Sequence, residues 1–435
     1  MKLHVTNLGQ IMTAEIRIAP LTIFFGKSGT QKTWTAHAYF KLLENFRVAG
    51  TSPSIAYPPS VEERAHALAT GWMELVRESP TSDVSLEISR DEVLEPLHDA
   101  LSVQLGGRAF RSALGVALPD NASVALEIPR DELAKGVGLE LRITVSADRK
   151  RFEREVRFHN GREPWRSTSY PKDDGEIESS LQDAVRVLVL AWRYQVRALP
   201  AERVNLVQVF LAMLRAKDAP MPRALVDFCY LMGIAASTGV AAPTSGSLAD
   251  GLGNVVGGNF LFREGQLLFR HRSAPEGEEL PISAAASLAK SLAGLGAFLA
   301  NAGPGDVLII DEPEMNAHPE AQVALVELFA AMIRSGMHVL LITHSPYIVD
   351  HVSALIEAAR VTPEDRAAVR TKIGLAGEDV WLMPEEVAVY DFQGPTVRQV
   401  FNRETGSIDW STFTNVNGRE SELMRALVAR EKDDA

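Results

Sequence analysis

Eight residues, Gly26-Lys27-Ser28-Gly29-Thr30-Gln31-Lys32-Thr33, constrain this chain more than any other feature. They follow an apolar run at 21–25 and lead into a helical pattern at 33–43, so the local order is strand, glycine turn, helix. A turn placed there curls its backbone N–H groups around an anion at the helix N-terminus, where aligned peptide dipoles also favour negative charge. Lys32 supplies a cation for terminal phosphate oxygens, and Thr33 a hydroxyl for a divalent metal ion. The segment is therefore expected to hold the polyphosphate of a nucleotide, with Lys32 facing solvent until the nucleotide arrives. Gln31 stands where this spacing usually has its last glycine. Its side chain must point away from the phosphates, and weaker affinity is the expected cost.

A second constellation lies far along the chain. Asp306-Val307-Leu308-Ile309-Ile310-Asp311-Glu312-Pro313 reads as an apolar strand closed by two carboxylates. Asp311, at the strand's carboxyl edge, suits a magnesium ion held through water, and Glu312 is placed to orient or deprotonate an attacking water. Two acids ending a strand are unremarkable alone. Here they precede Glu314-Met315-Asn316-Ala317-His318-Pro319, and the next apolar strand ends in Thr343-His344-Ser345. A lone histidine after a strand is more often structural; at the end of this strand a functional role is the better reading.

The surrounding pattern is α/β. Near-continuous apolar strands at 307–310 and 338–342 alternate with helices at 284–300 and 319–335, as a parallel sheet covered on both faces requires. An added strand is expected at 387–392 and a terminal helix at 419–432. Strands of period two at 85–89, 123–128 and 139–145 mark a sheet with one wet face. A polar loop is expected at 165–176, helices at 181–198, 205–215 and 222–236, and a mobile Gly/Ala/Ser-rich loop at 241–258. The division that follows is a core in two halves, 1–45 and 280–435, around an inserted strand-rich and helical region, 46–279. Neither an internal repeat nor a long heptad run is present.

Charge and cysteine content narrow the setting. With 44 basic and 56 acidic residues the net charge is −12, which weighs against a protein that grips nucleic acid over its whole surface. Asp148-Arg149-Lys150-Arg151-Phe152-Glu153-Arg154 is either a local basic strip or an exposed hairpin of alternating charges, the second being the commoner case. The single cysteine, Cys229, cannot form an internal disulfide; the first residues lack the apolar core of a secretory signal, and no apolar stretch reaches membrane-spanning length. A cytoplasmic protein without a membrane segment is expected.

In their order, the glycine loop, the Asp-Glu-Pro strand end and the Thr-His-Ser strand end resemble the ABC/SMC-type ATPases. The resemblance is closer to the bacterial branch that includes the OLD-family and abortive-infection or phage-defence ATPases. In that branch D-E-P-E-x-x-x-H-P-x-x-Q is typical, and residues 311–322 here fit it. Leu199-Pro200-Ala201-Glu202-Arg203 also resembles a string seen between the motifs in such proteins. The likeness covers residues 1–45 and 280–350, and the intervening region loosely.

The resemblance implies a P-loop NTPase head of ABC/SMC type, with a mixed, mostly parallel sheet flanked by helices and an inserted α+β lid. It implies ATP and Mg²⁺ as ligands: Gly26, Lys27, Ser28, Gly29, Thr30, Gln31, Lys32 and Thr33 on the phosphates, Thr33 and Asp311 on the metal, Glu312 on the water, and His344 on the γ-phosphate. Asn316 would lie in a loop facing a second subunit. The segment offered across such a dimer departs from the family pattern: Pro281-Ile282-Ser283-Ala284-Ala285-Ala286-Ser287-Leu288 lacks a glycine pair. Ser283 or Ser287 could supply its hydroxyl, although an Ala/Ser-rich helix start is also an ordinary cap. A homodimer or higher oligomer that senses or restrains a separate nuclease or toxin in phage defence is the implied assembly. A non-hydrolysing ATP-gated scaffold and a DNA repair or recombination ATPase are the alternatives. A fused nuclease is disfavoured, because no D-x-D pair follows His344.

Overall fold

The computed structural model describes residues 1–45, 59–79, 83–88, 104–106, 109–129, 139–146, 148, 151–158, 165–190, 195–215, 221–238, 247–263, 266–275, 278–362, 365, 368 and 380–409. At its centre is a six-stranded sheet in the order Val196–Leu199, Val307–Asp311, His338–Ile342, Leu21–Gly26, Val387–Phe392, Val397–Gln399. The first five strands are parallel and only the last, at the edge, runs antiparallel. Strand residues alternate between two cores. Phe24, Ile309, Ile342 and Tyr390 pack on one face, whereas Ile23, Phe25, Ile310, Leu341 and Val389 pack on the other. Burial on both faces is why these segments are continuous apolar runs.

The register fixes where the chemistry falls. Asp311 pairs with Ile342, and Ile342 with Phe24, so three strands finish side by side at their carboxyl ends. The helix Lys32–Asn45 leaves the glycine loop, Pro319–Arg334 follows the acidic strand, and Pro346–Ala359 follows the Thr-His-Ser turn. Pro at the first helical position, with Ser345 accepting from the Ile348 N–H, starts the last of these sharply.

Two antiparallel sheets accompany the main one. Ile11–Arg17, Lys2–Leu8, Ser123–Glu127 and Gln104–Gly106 form the first; Val84–Ile88, Leu139–Val145, Phe152–Phe158 and Trp165–Ser169 form the second. A smaller sheet holds Gly258–Arg263, Gln266–His271 and Leu280–Pro281. Pieces of the 46–279 region therefore sit inside the sheets of the flanking segments, with Val196–Leu199 beside the acidic strand and Ser123–Glu127 beside Lys2–Leu8.

Several local expectations change. Residues 165–169 form a strand rather than loop, their polarity belonging to a sheet edge, and the helix Asp174–Leu190 begins where Asp173 caps the Glu176 N–H at 2.8 Å. The helix expected to reach residue 198 gives way to Val196–Leu199, in which the charge of Arg197 is buried against Asp227 at 2.8 Å. Within 241–258 the helix Ser247–Val256 stands, with Leu252 and Val255 in the core; residues 241–246 lie outside the described set. The terminal helix expected at 419–432 lies outside it too. In the charged piece at 148–154, Phe152 to Arg154 lie in a strand paired antiparallel with Leu139–Val145, Arg151 pairs with Glu153, and Arg154 bonds Ser167 and rests over the Phe152 ring; residues 149–150 lie outside the described set. No described helix is long and apolar enough to cross a membrane.

Candidate active site

Gly26 turns out of its strand at φ +122°, and a Cβ there would lie 2.4 Å from the Phe392 carbonyl, so only glycine fits. Gly29 and Gln31 are also left-handed, at φ +78° and +64°. Gln31 thus adopts the backbone for which glycine is the usual residue. Its side chain lies against the turn at Gly9, where a Cβ would come within 2.7 Å of the Gln31 Cγ, and its buried Oε1 has no hydrogen-bond partner among the described residues.

Lys32 differs from expectation. It is 4% exposed rather than facing solvent, because its ammonium donates to the Gly26 carbonyl at 3.0 Å and the Lys27 carbonyl at 2.7 Å. Three N–H donors on one nitrogen are satisfied by the loop's own inward oxygens. Burial lowers its pKa, while Asp311, Glu312 and Asp391 pull the other way.

The three strand ends meet in an open cleft of about 350 Å³ lined by Ser28 to Trp34, Asp311, Glu312, Ile342 and His344. Across it the Thr33 hydroxyl donates to Asp311 Oδ2 at 2.7 Å. Burial pushes the Asp311 carboxyl up to about 6, with the Thr33 bond opposing and Glu312 adding to the shift. His344 is half-buried; burial first, and the Lys32 charge second, lower its pKa, which keeps the imidazole neutral at neutral pH. A hydroxyl and a carboxylate in contact are hard oxygen donors of the kind Mg²⁺ takes, with phosphate and water filling the remaining positions. Among the described residues no group of three His, Cys, Asp or Glu side chains is placed to hold a metal without such help.

Residues of the long acidic motif hold these ends in register. Glu314 Oε1 accepts from the His344 N–H at 2.7 Å and from the Thr343 hydroxyl at 2.8 Å. Gln322 donates to the Ala317 carbonyl at 2.9 Å and accepts from the Ser345 hydroxyl. The turn after the acidic strand and the turn bearing His344 are therefore tied together by side-chain bonds.

Ser283, Ser287 and Asn316 are exposed, and none of them lines the cleft. Neither serine caps the helix Ser287–Leu299, whose N-cap is Ala286 with no side-chain bond. Asn316 is left-handed, at φ +65°. The residue that sequence reasoning passed over is Arg203. It is fully buried and reaches the carbonyls of both Asp311 and Glu312. The string at 199–203 pointed to it, but five residues do not reveal where an arginine will be buried.

A glycine loop, a strand ending in two acids and a strand ending in histidine, adjacent in one parallel sheet, define a P-loop NTPase of the ABC/SMC type. Residues 77–350 match the family described as AAA domain, putative AbiEii toxin, Type IV TA system, and the chain belongs to that family. The match begins downstream of the glycine loop, which the sheet register joins to it. Among solved structures the chain is similar to the SMC head domain from Thermotoga maritima, at 9% identity and a TM-score of 0.31, covering 92% of this chain and 97% of that one. It is also similar to the Smc head domain with an extended coiled coil bound to the C-terminal domain of ScpA derived from Pyrococcus furiosus, at 9% identity and a TM-score of 0.33, covering 92% and 95%. No curated protein matches the chain.

Proposed function

We propose that the chain binds ATP with Mg²⁺ in this cleft and hydrolyses it. The observation that carries the reading is the contact between Thr33 and Asp311, two residues 278 apart in sequence, in a cleft that also holds Lys32, Glu312 and His344. The amides of residues 26–33 surround the phosphates and Lys32 turns from its loop carbonyls to the β- and γ-oxygens. Thr33 and Asp311 hold Mg²⁺, which neutralises phosphate charge when bound. Glu312 takes a proton from the attacking water, and neutral His344 hydrogen-bonds the γ-phosphate. Ser283, Ser287 and Asn316, exposed and away from the chain's own cleft, serve a second copy arranged head-to-tail.

The family description names a putative toxin and a type IV toxin–antitoxin system; beyond those words, the reading is that the chain senses or controls a separate effector, a nuclease or a toxin, in defence against phage. Glu312→Gln tests the chemistry. It keeps size and hydrogen bonding but removes the base, so phosphate release should fall by roughly 10²–10⁴-fold. ATP should still bind, and light scattering after gel filtration should find an ATP-trapped dimer. Turnover at the wild-type rate removes Glu312 from the mechanism. A second reading, an ATP-gated scaffold without hydrolysis, is favoured by the left-handed Gln31 and the glycine-free segment at 281–288. Absence of phosphate release from the wild-type chain would select it.

A further inference from the structure

Arg203 sits at the start of the helix Arg203–Arg215 with no exposed surface. All three of its nitrogens are engaged. Nε donates to the Ser291 carbonyl at 2.7 Å; Nη1 donates to the Pro200 carbonyl at 3.0 Å and to the Asp311 carbonyl; Nη2 donates to the Glu312 carbonyl at 2.7 Å and to the Ser291 hydroxyl at 3.1 Å. A guanidinium is a planar fork with fixed donor directions, so these bonds define the relative position of their acceptors. The acceptors belong to three places: its own turn, the end of the acidic strand, and the helix Ser287–Leu299.

Glu312 needs such support. Its φ of +48° is left-handed, a conformation that side-chain-bearing residues adopt only when the surroundings over-determine it. Three bonds do so here. Its N–H donates to the Ile342 carbonyl at 2.8 Å, and its carbonyl accepts from the Met315 N–H at 3.1 Å and from Arg203. Of these, only the Arg203 bond comes from a side chain, and only it reaches past the strand ends and the turn that follows Glu312. Left-handed backbone at this point aims the Glu312 side chain into the cleft.

We propose that Arg203 is a positioning residue for hydrolysis: it pins Glu312 in its left-handed conformation and ties that residue to the helix Ser287–Leu299. The inference rests on the ATPase reading above. Displacement at the start of that helix, where the exposed Ser287 faces outward, is transmitted through Ser291 and the guanidinium to the backbone of the two acids. Arg203 touches neither nucleotide nor water, and acts through Glu312.

Arg203→Lys tests this, since an ammonium keeps the charge but cannot span acceptors on both elements. Wild-type phosphate release is measured first; its absence removes the ATPase reading and this inference together. With turnover established, the variant should show kcat lower by about 10²-fold, the usual cost of misplacing a reacting group by about an ångström, at unchanged KM and ATP affinity. A merely structural role would instead lower thermal stability and leave kcat of the folded fraction intact, and that outcome overturns the proposal while sparing the ATPase. Should Arg203→Lys not fold, Ser291→Ala decides, because it removes one bond to the guanidinium and leaves the Ser291 carbonyl in place. A severalfold fall in kcat at unchanged KM supports the relay, and wild-type kcat overturns it.

Discussion

Replacing Gln31 by glycine should stabilise the protein, the reverse of what glycine does in most helical settings. Gln31 is left-handed at φ +64° and its buried Oε1 lacks a partner among the described residues. Left-handed backbone costs a side-chain-bearing residue ~1–2 kcal/mol, which glycine escapes. An unsatisfied buried polar atom adds ~1–3 kcal/mol, which disappears with the side chain. Against these stand about 0.5–1 kcal/mol for the greater freedom of glycine when unfolded and about 0.8 kcal/mol for each of the two methylenes lost with the side chain, of which Cγ lies at the Gly9 turn. The balance is a gain of about 1 kcal/mol. The sharper comparison is Gln31→Gly against Gln31→Ala, because both lose the amide and differ chiefly in backbone strain. Glycine should be the more stable of the two by about 1 kcal/mol, read from urea midpoints at a common slope. An alanine variant as stable as the glycine variant, or more so, would refute the strain argument.

Three further outcomes are expected. Lys32→Ala should abolish ATP binding by titration calorimetry and also lower stability by about 1 kcal/mol, since the Gly26 and Lys27 carbonyls lose their donor. Ser283→Ala with Ser287→Ala should leave ATP affinity of the monomer intact while weakening ATP-dependent dimerisation and turnover; an unaltered mass profile would remove both serines from the interface. His37 is buried on the helix behind the glycine loop, and burial lowers its pKa to about 4. The unfolded chain then binds more protons than the folded one between about 6.5 and 4, so stability present above that window is lost as pH falls through it. His37→Gln should flatten this acid limb in urea melts run from pH 7 to pH 4.5, and a limb as steep as wild type would exclude His37 as its source.

The separation of legible from illegible features follows from the range of the interactions. The sheet strands were readable because burial on both faces demands unbroken apolar runs, and the register then carried Asp311, His344 and the glycine loop to one edge. Val196–Leu199 was not, because Arg197 interrupts its run, and its charge is paired with Asp227, thirty residues away. A lysine's ordinary surroundings are wet, so the sequence alone turns Lys32 to solvent; the Gly26 and Lys27 carbonyls that bury it belong to a loop that closes with Gln31 left-handed, which a glutamine does not announce. Glu314 and Gln322 were visible as motif letters, whereas their work, bolting the Asn316 turn to the His344 turn, needs two strands already side by side. Arg203 is the extreme case. Its bonds run 88 residues to Ser291 and 109 to Glu312, so nothing near it in sequence could disclose them. A residue of this kind becomes legible only when an unusual backbone elsewhere, here the left-handed Glu312, requires a donor that its own neighbours do not supply.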